Sequence, residues 1–268
     1  MNNVPKLGRY LLAIPMLVYP ALHFVYASFV EAIVPPWIPF HPFWTYFTAV
    51  TIFIAGVAIL FRKYAYIASL LLGIEILLFV ILIHGPLLFH ISMYPKEVQG
   101  IFGDLPNRII NAFKDFGLCG SVFLYAGTEA ESWKAKGTNV PFVIGHFILG
   151  VSITAFGVLH FVYPQFAPGI PPMLPTITFI IPGLLFWVYL TGVVLVLDGG
   201  TILVGKGTRL MITWLGIILL LFDLLVWVPR FGANPGDLYG NWLKDIGIIG
   251  GIFILADTLP VKPKPLTV

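Results

Sequence analysis

Long apolar runs separated by short polar or proline-rich passages are the main pattern along this chain of 268 residues. A helix needs about 20 mostly apolar residues to cross the hydrocarbon core of a bilayer. Runs of about this length lie at residues 9–30, 43–61, 64–84, 109–128, 142–163, 178–198, 208–228 and 242–259. The pattern therefore predicts an all-α, polytopic membrane protein with eight transmembrane helices.

The eight runs form two groups of four, because motifs of the first half return in the second. The matching motifs are Leu22-His23-Phe24-Val25-Tyr26 with Leu159-His160-Phe161-Val162-Tyr163, Trp44-x-Tyr46 with Trp187-x-Tyr189, and Asn111-x-x-Lys114-Asp115 with Asn241-x-x-Lys244-Asp245. A proline-rich passage follows each copy of the first motif, at residues 34–39 and 170–175. These matches predict two fused four-helix units, residues 1–133 and 134–268, joined by a charged linker.

Basic residues indicate how the predicted helices are oriented. Ten of the fifteen lysines and arginines fall on one side: Lys6, Arg9, Arg62, Lys63, Lys134, Lys136, Lys206, Arg209, Lys262 and Lys264. The positive-inside rule makes that side cytoplasmic. An even number of helices in each unit makes the two units parallel repeats. We therefore expect a multi-pass protein of the plasma membrane with both termini in the cytoplasm.

Composition supports the membrane assignment and narrows the chemistry. The chain is 59% hydrophobic and 10% charged, with a mean hydropathy of +0.96, which leaves too little polar surface for a soluble globule. The net charge of +3 is small and dispersed, so it gives no nucleic-acid footprint, and the expected partner is the lipid bilayer. The single cysteine, Cys119, excludes an internal disulfide and dithiol redox chemistry within the chain.

The repeated polar residues are the candidate functional groups. They are expected at the extracytoplasmic ends of the predicted helices, where the spacing predicts one polar cluster for each unit. Asn111 and Asp115 are four residues apart and share a helix face. With two unrepeated residues added, the candidate pocket comprises His23, Tyr26, Trp44, Tyr46, Arg108, Asn111, Lys114, Asp115, His160, Tyr163, Trp187, Tyr189, Asp223, Asn241, Lys244 and Asp245.

Simpler roles account for part of this set. Tyrosine and tryptophan at helix ends form interfacial belts, and an ion pair at the membrane edge can simply fasten helices. His23 and His160 could face each other and hold a haem, but histidines hydrogen-bonded to a neighbour would recur equally well, so haem is not favoured. No motif supports a metal site, because His84 and His90 have no counterparts in the second unit.

Three intramembrane carboxyl groups are not repeated. Glu75, Asp198 and Asp223 each correspond to an apolar residue in the other unit. This asymmetry suggests that one unit carries a working site that the other supports. The stretch from Ser92 to Asn107 is also longer than its counterpart, and we expect it to form an external cap or a docking surface for a partner.

The order His-Phe, a Val34-Pro35-Pro36-Trp37-Ile38-Pro39 segment and then an aromatic and threonine-rich helix resembles the DoxX/DoxD-like superfamily of four-helix membrane proteins. The resemblance covers Leu22 to Pro86 and, more weakly, Leu159 to Pro229. It implies a membrane redox context, because the family name comes from a subunit associated with a terminal quinol oxidase, and DoxD-type relatives belong to a thiosulfate:quinone oxidoreductase. This chain departs from the family by fusing two units.

Three functional hypotheses follow. The first is a membrane subunit or accessory protein of a respiratory or other redox complex, in which the outer cluster binds a quinone or lipid-like molecule. The second is a structural or assembly subunit that packs against other membrane subunits without chemistry of its own. The third is a small-molecule transporter, which the parallel repeat and the position of the cluster favour less, because transport sites are expected near the midplane. The sequence does not identify a substrate, and it leaves open whether the protein is an enzyme.

Overall fold

The computed structural model describes residues 6–130, 139–166, 184–227 and 241–260. In chain order its α-helices are α1 (Lys6–Val25), α2 (Ala27–Ile33), α3 (His41–Phe61), α4 (Ala65–Phe79), α5 (Gly85–Phe89), α6 (Lys96–Ile101), α7 (Leu105–Glu129), α8 (Val140–Val162), α9 (Leu184–Leu203), α10 (Arg209–Trp227) and α11 (Asn241–Thr258). Every regular element in these ranges is helical, which confirms the predicted all-α class. The second proline-rich passage, the boundary at residues 133 and 134 and the basic tail lie outside the described residues.

Helices long and apolar enough to cross a bilayer make up much of this part of the chain. Within the described residues there are five such stretches: Leu7–Val25, His41–Phe61, Ala65–Phe89, Val140–Val162 and Leu185–Leu203. The third is longer than the sequence predicted, because one turn of π-helix, Val80–His84, joins α4 to α5 without a break. This architecture identifies a helical protein of membrane type.

Helices α7, α10 and α11 correspond to predicted spans but are not among the five apolar stretches. For α7 and α11 the structure gives a reason. Residues 117–127 of α7 and 247–256 of α11 are buried on every face of the helix. Neighbouring helices therefore surround both elements along these stretches, and the charged residues Lys114, Asp115, Lys244 and Asp245 lie just before them.

The centre of the molecule is the packing of α7 against α11. Helix α7 also contacts α4 and α8, and α11 also contacts α1 and α10, whereas α1 packs on α3 and α8 on α9. Small residues permit these close approaches. A Cβ atom added to Gly8 would lie 2.8 Å from the carbonyl oxygen of Gly250, and one added to Gly145 would lie 2.6 Å from that of Gly120.

Positions that match in the two halves of the sequence make matching contacts. Gly73 on α4 faces the ring of Phe123 on α7, as Gly216 on α10 faces that of Phe253 on α11. The Phe24 ring lies 5.4 Å from that of Tyr46, and the matching rings of Phe161 and Tyr189 are 5.6 Å apart. In both halves the first long helix packs against the last helix of the other half, α1 on α11 and α8 on α7.

Two of the helix boundaries that differ from the sequence prediction bear on the candidate site. The first run, predicted at 9–30, divides at Tyr26, whose φ of −117° and ψ of 37° separate α1 from α2. Helix α7 begins at Leu105, four residues before the predicted start, and Pro106 lies in its first turn, where a missing N–H group is tolerated. Lys114 therefore lies nine residues inside α7, about 14 Å from its start, and not at the helix end as predicted.

Arginine–carboxylate pairs join helices at the end predicted to face the cytoplasm. Arg62, just after α3, donates hydrogen bonds to both carboxylate oxygens of Glu129 at 3.0 and 3.3 Å, and Arg209 on α10 pairs with Asp257 on α11. The hydrogen bonds from Arg62 to Glu129 raise the pKa of the guanidinium above its usual value. Both arginines belong to the set from which the orientation was predicted.

Candidate functional site

Two crossed ion pairs connect α7 with α11. Lys114 Nζ lies 2.6 Å from Asp245 Oδ2, and Lys244 Nζ lies 2.6 Å from Asp115 Oδ1. Adjacent residues diverge by about 100° around a helix, so a lysine cannot pair with the aspartate that follows it. Each Lys-Asp motif therefore pairs with the other copy, and the structure forms one network where the sequence predicted a cluster in each unit.

His84 adds a third element to this network. Its Nε2 atom lies 2.6 Å from Asp115 Oδ2, and its side chain is buried. Asp115 consequently has one oxygen on Lys244 and the other on His84. His84 is the last residue of the π-helical turn, and such turns recur at functional sites because the extra residue redirects side chains. Its counterpart in the second half is Trp227, whose side chain lies outside the described residues.

Tyr19 of α1 interacts with the network, and His23 follows it one turn later on the same helix. The partly buried Tyr19 packs against the main core, and its hydroxyl group interacts electrostatically with Asp115 and Asp245. His23 Nδ1 lies 2.9 Å from the carbonyl oxygen of Tyr19. Because a carbonyl only accepts hydrogen bonds, Nδ1 carries the proton, which leaves the Nε2 lone pair of a neutral ring available as an acceptor.

His160 has the same arrangement in the second half. Its Nδ1 atom lies 2.7 Å from the carbonyl oxygen of Phe156, and the side chain is buried. The hydrogen bond to Phe156 therefore places the proton on Nδ1 of His160, as the bond to Tyr19 does in His23. Helices α1 and α8 pack against α11 and α7 respectively and are not extensively in contact with each other.

The repeated aromatic residues lie mainly at the surface. Trp44, Tyr46 and Tyr189 are exposed, and the indole nitrogen of Trp44 donates to the carbonyl oxygen of Pro39 at 3.0 Å. Trp187 is partly buried and packs edge-on against Phe186. Their positions match an interfacial aromatic belt better than the lining of an ionic site.

Tyr26 and Tyr163 mark the ends of the first long helix in each half. Tyr26 separates α1 from α2, and Tyr163 follows the last residue of α8. Both are partly buried, and Tyr163 packs against the main core.

Asp223 is buried on α10, and Asn241 is a partly buried residue of α11, one turn before Asp245. The contacts described for these four residues do not include His84 or the two lysines.

Arg108 and Asn111 bond to the cap, which is the segment of residues 87–107 at and after the end of the third span. The Arg108 guanidinium donates to the carbonyl oxygens of Leu87 at 2.9 Å and Leu88 at 3.1 Å, and Asn111 Nδ2 donates to Asn107. The cap has its own small core: Leu87, Tyr94, Val98 and Phe102, packed with Phe29, Ala32, Ile33, Ile83 and Ile91. Burial raises the pKa of Tyr94 to about 12, so its phenol stays neutral. Part of the predicted loop from Ser92 to Asn107 is therefore folded onto α2 and the third span.

Replacing Arg108 with alanine should loosen this cap without unfolding the helices beneath it. The change leaves two carbonyl oxygens without their donor, a penalty of about 1–3 kcal/mol for each buried group. We expect limited trypsin digestion to cut after Lys96 faster in the variant than in the wild type. Exchanging the exposed Asp104 for alanine is the control, and equal cleavage rates in all three proteins would contradict the anchoring role of Arg108.

An apolar groove runs along one side of the molecule. It has a volume of about 380 Å³ and is lined by Phe113, Val151, Thr154, Ala155, Val158, Leu159 and Leu203, from α7, α8 and α9. Phe113 immediately precedes Lys114, and Leu159 immediately precedes His160. The groove extends about 12 Å along α8, from Val151 to Leu159.

Sequence reasoning selected the four charged residues of the network but set aside His84 and did not select Tyr19. An ionisable residue within an apolar span is itself a signal of function, and His84 met that criterion.

Within the described ranges, no group of three or more His, Cys, Asp or Glu side chains is arranged to hold a metal ion. Comparison of the chain with protein-family models, with curated proteins and with solved structures found no match.

Proposed function

We propose that this chain arose by duplication of a four-span unit and crosses the plasma membrane eight times, with both termini in the cytoplasm. The matching contacts of Gly73 and Gly216, and of the two crossed Lys–Asp pairs, support the duplication. Contacts that repeat at equivalent positions are expected when two copies of one fold face each other across a pseudo-two-fold axis. The burial of α7 and α11 supports counting them as spans despite their charges.

We further propose that the protein is a membrane subunit of a redox complex and binds a quinone-like or lipid-like amphiphile at the ionic network. The observation that carries this proposal is that Lys114, Asp115 and His84, three polar side chains of the network, are buried among apolar helices. Ionisable groups at such positions are expensive and mostly functional. The apolar groove beside Phe113 offers a place for the hydrocarbon tail of the same ligand.

Each group of the network has a chemical role in this proposal. The Lys114 and Lys244 ammonium groups can donate hydrogen bonds to a carbonyl or phosphate oxygen. Asp115 holds both Lys244 and His84 in place, so it acts as the positioning residue. The His84 imidazole can act as a proton donor or acceptor, which the reduction or oxidation of a quinone headgroup requires. The resemblance to DoxX/DoxD-like proteins points to the same redox setting.

The crossed pairing also favours a second candidate function. Both ion pairs bridge α7 and α11, so the network can act purely as a fastener between the two halves of a structural or assembly subunit. If the network only holds the two helices together, each pair needs two opposite charges, and either helix can carry either charge. If the network binds a headgroup, the lysine ammonium groups are needed at their present positions.

Reversing one pair separates these two functions. We expect Lys114→Asp combined with Asp245→Lys to retain an ion pair between α7 and α11 and to unfold close to the wild type, while each single change destabilises the protein. Binding of decyl-benzoquinone, measured by quenching of tryptophan fluorescence in detergent, should fall about tenfold or more in the double variant. That factor corresponds to one lost hydrogen bond from a charged donor, about 1.5 kcal/mol.

The outcomes are distinct for the two candidates. If the wild type binds the quinone and the double variant binds it equally well, the result would favour the fastener. A wild-type protein that neither binds decyl-benzoquinone nor co-purifies with extractable quinone or lipid would overturn the ligand-binding proposal. Exchange of the exposed pair of residues Lys96 and Glu97 on α6 serves as a matched control, because it reverses charges outside the network.

A further inference from the structure

A second ionisable group lies deeper in the membrane-spanning part of the chain, away from the network. Glu75 follows Ala65, the start of its span, by ten residues, which is about 15 Å along the helix axis. The hydrocarbon core of a bilayer is about 30 Å thick, so this carboxyl lies near the midplane. Its hydrogen-bond partner, Thr51, is also ten residues from the start of its span at His41.

The hydrogen bonds around Thr51 accommodate a protonated Glu75. Thr51 Oγ1 lies 2.7 Å from Glu75 Oε1, 3.1 Å from the carbonyl oxygen of Phe47 and 3.0 Å from that of Thr48. A hydroxyl group has one proton to donate and can also accept. If Glu75 donates its own proton to Thr51, the Thr51 proton remains for a helix carbonyl and every group is satisfied. If Glu75 is ionised, three acceptors compete for that single proton.

Within the described part of the chain, the helices that pack on α4 carry no opposite charge at this level. Between His41 and Arg62, α3 contains no Asp, Glu, Lys, Arg or His. At the level of Gly73, α7 presents the ring of Phe123 and the thiol of Cys119, which donates to the Gly73 carbonyl at 3.3 Å. His84 is nine residues further along the chain, about 14 Å, and pairs with Asp115. The neutral acid is therefore the favoured form, because an isolated charge in hydrocarbon costs a few kcal/mol or more.

Glu75 is also accessible from the lipid side. Its residue is only partly buried, and the neighbouring side chains of Leu71, Ile74 and Leu78 on α4 are 60%, 44% and 46% exposed. This exposed apolar face is the part of α4 that the bilayer covers. A small apolar molecule dissolved in the membrane can therefore reach the carboxyl, whereas a charged reagent in water cannot.

We propose that Glu75 is a membrane-embedded proton-binding carboxyl that opens to the lipid phase between α3 and α4. Such a group reacts with hydrophobic carbodiimides. The carboxyl proton moves to one reagent nitrogen, and a carboxylate oxygen bonds to the central carbon to give an O-acylisourea. Transfer of the acyl group to nitrogen then yields a stable N-acylurea. The adduct retains every atom of the reagent, and nothing is oxidised or reduced.

The test uses the full-length protein in detergent or in phospholipid vesicles. Dicyclohexylcarbodiimide should add one reagent mass to the peptide that contains Glu75, whereas a charged, water-soluble carbodiimide should modify Glu75 at least about tenfold less. A tenfold ratio corresponds to about 1.4 kcal/mol in favour of the apolar reagent. Exposed Glu97 is the internal control and should show the opposite preference. Glu75→Gln should abolish the adduct.

Several results would overturn this proposal. They are an unmodified Glu75 after treatment of the wild type, equal modification by the two reagents, or an undiminished adduct in Glu75→Gln. Labelling should decrease as the pH is raised, because only the protonated acid supplies the proton in the first step. A labelling yield that is constant from pH 5 to pH 10 would also contradict the assignment. The result does not depend on quinone binding, since Glu75 and the network share no contact among the interactions described.

Discussion

Replacing Asp115 with alanine is expected to lower the free energy of unfolding by about 3–5 kcal/mol, the usual range when one partner of a buried ion pair is removed. The residue is only 9% exposed and accepts contacts from both Lys244 and His84 at 2.6 Å. Its loss leaves the Lys244 ammonium without the carboxylate that balances it. The measurement is unfolding of the purified protein in mixed micelles, followed by circular dichroism at increasing denaturant concentration.

Two further variants make the Asp115 experiment specific. Asp104 precedes α7 and is exposed, with no side-chain hydrogen bond to the helix end, so Asp104→Ala should change the free energy of unfolding by less than about 0.5 kcal/mol. Replacing Asp115 and Lys244 together with leucine and methionine should recover most of the loss, because a buried pair can often be exchanged for apolar groups. A loss below about 1 kcal/mol in Asp115→Ala would show that the pair contributes little.

The helical class and most of the helix positions followed from hydropathy alone, because long apolar runs have few alternative structures. The ends of helices were harder to predict. Tyr26 interrupts the first run although its neighbours remain apolar, and α7 begins at Leu105 in a stretch that is too polar to be recognised as part of a span. Local backbone geometry and the cover supplied by other helices decide such boundaries, and neither is visible in a hydropathy profile.

For the candidate site, the repeat identified the residues but not their partners. Lys114 and Asp115 are adjacent in sequence, which suggested one cluster in each half. Their partners are instead Asp245 and Lys244, more than 120 residues away, because the close approach of α7 to α11 brings the two motifs together. His84 reaches Asp115 through a π-helical turn. Such a turn has no reliable sequence pattern, so this contact required the structure.

Placing alanine at Gly145 is expected to destabilise the protein by about 3 kcal/mol, at the upper end of the range for overpacking. The added Cβ atom would clash with the Leu124 amide nitrogen and lie 2.6 Å from the Gly120 carbonyl oxygen. Both are backbone atoms, so no change of side-chain rotamer relieves the clash, and α8 must move away from α7. The unfolding assay used for Asp115 measures the effect.

Other glycines supply matched controls with predictable signs. Gly8→Ala should be destabilising to a similar degree, since its Cβ would meet the Gly250 carbonyl oxygen and the Ile254 amide nitrogen on α11, each at 2.8 Å. Gly200 lies within α9 and has no atom within 4 Å of its Cβ position, so Gly200→Ala should stabilise by up to about 1 kcal/mol through helix propensity. Destabilisation by Gly145→Ala alone would mean that α1 does not approach α11 as closely as α8 approaches α7. Tolerance of alanine at both Gly8 and Gly145 would contradict the close approach of α1 to α11 and of α8 to α7.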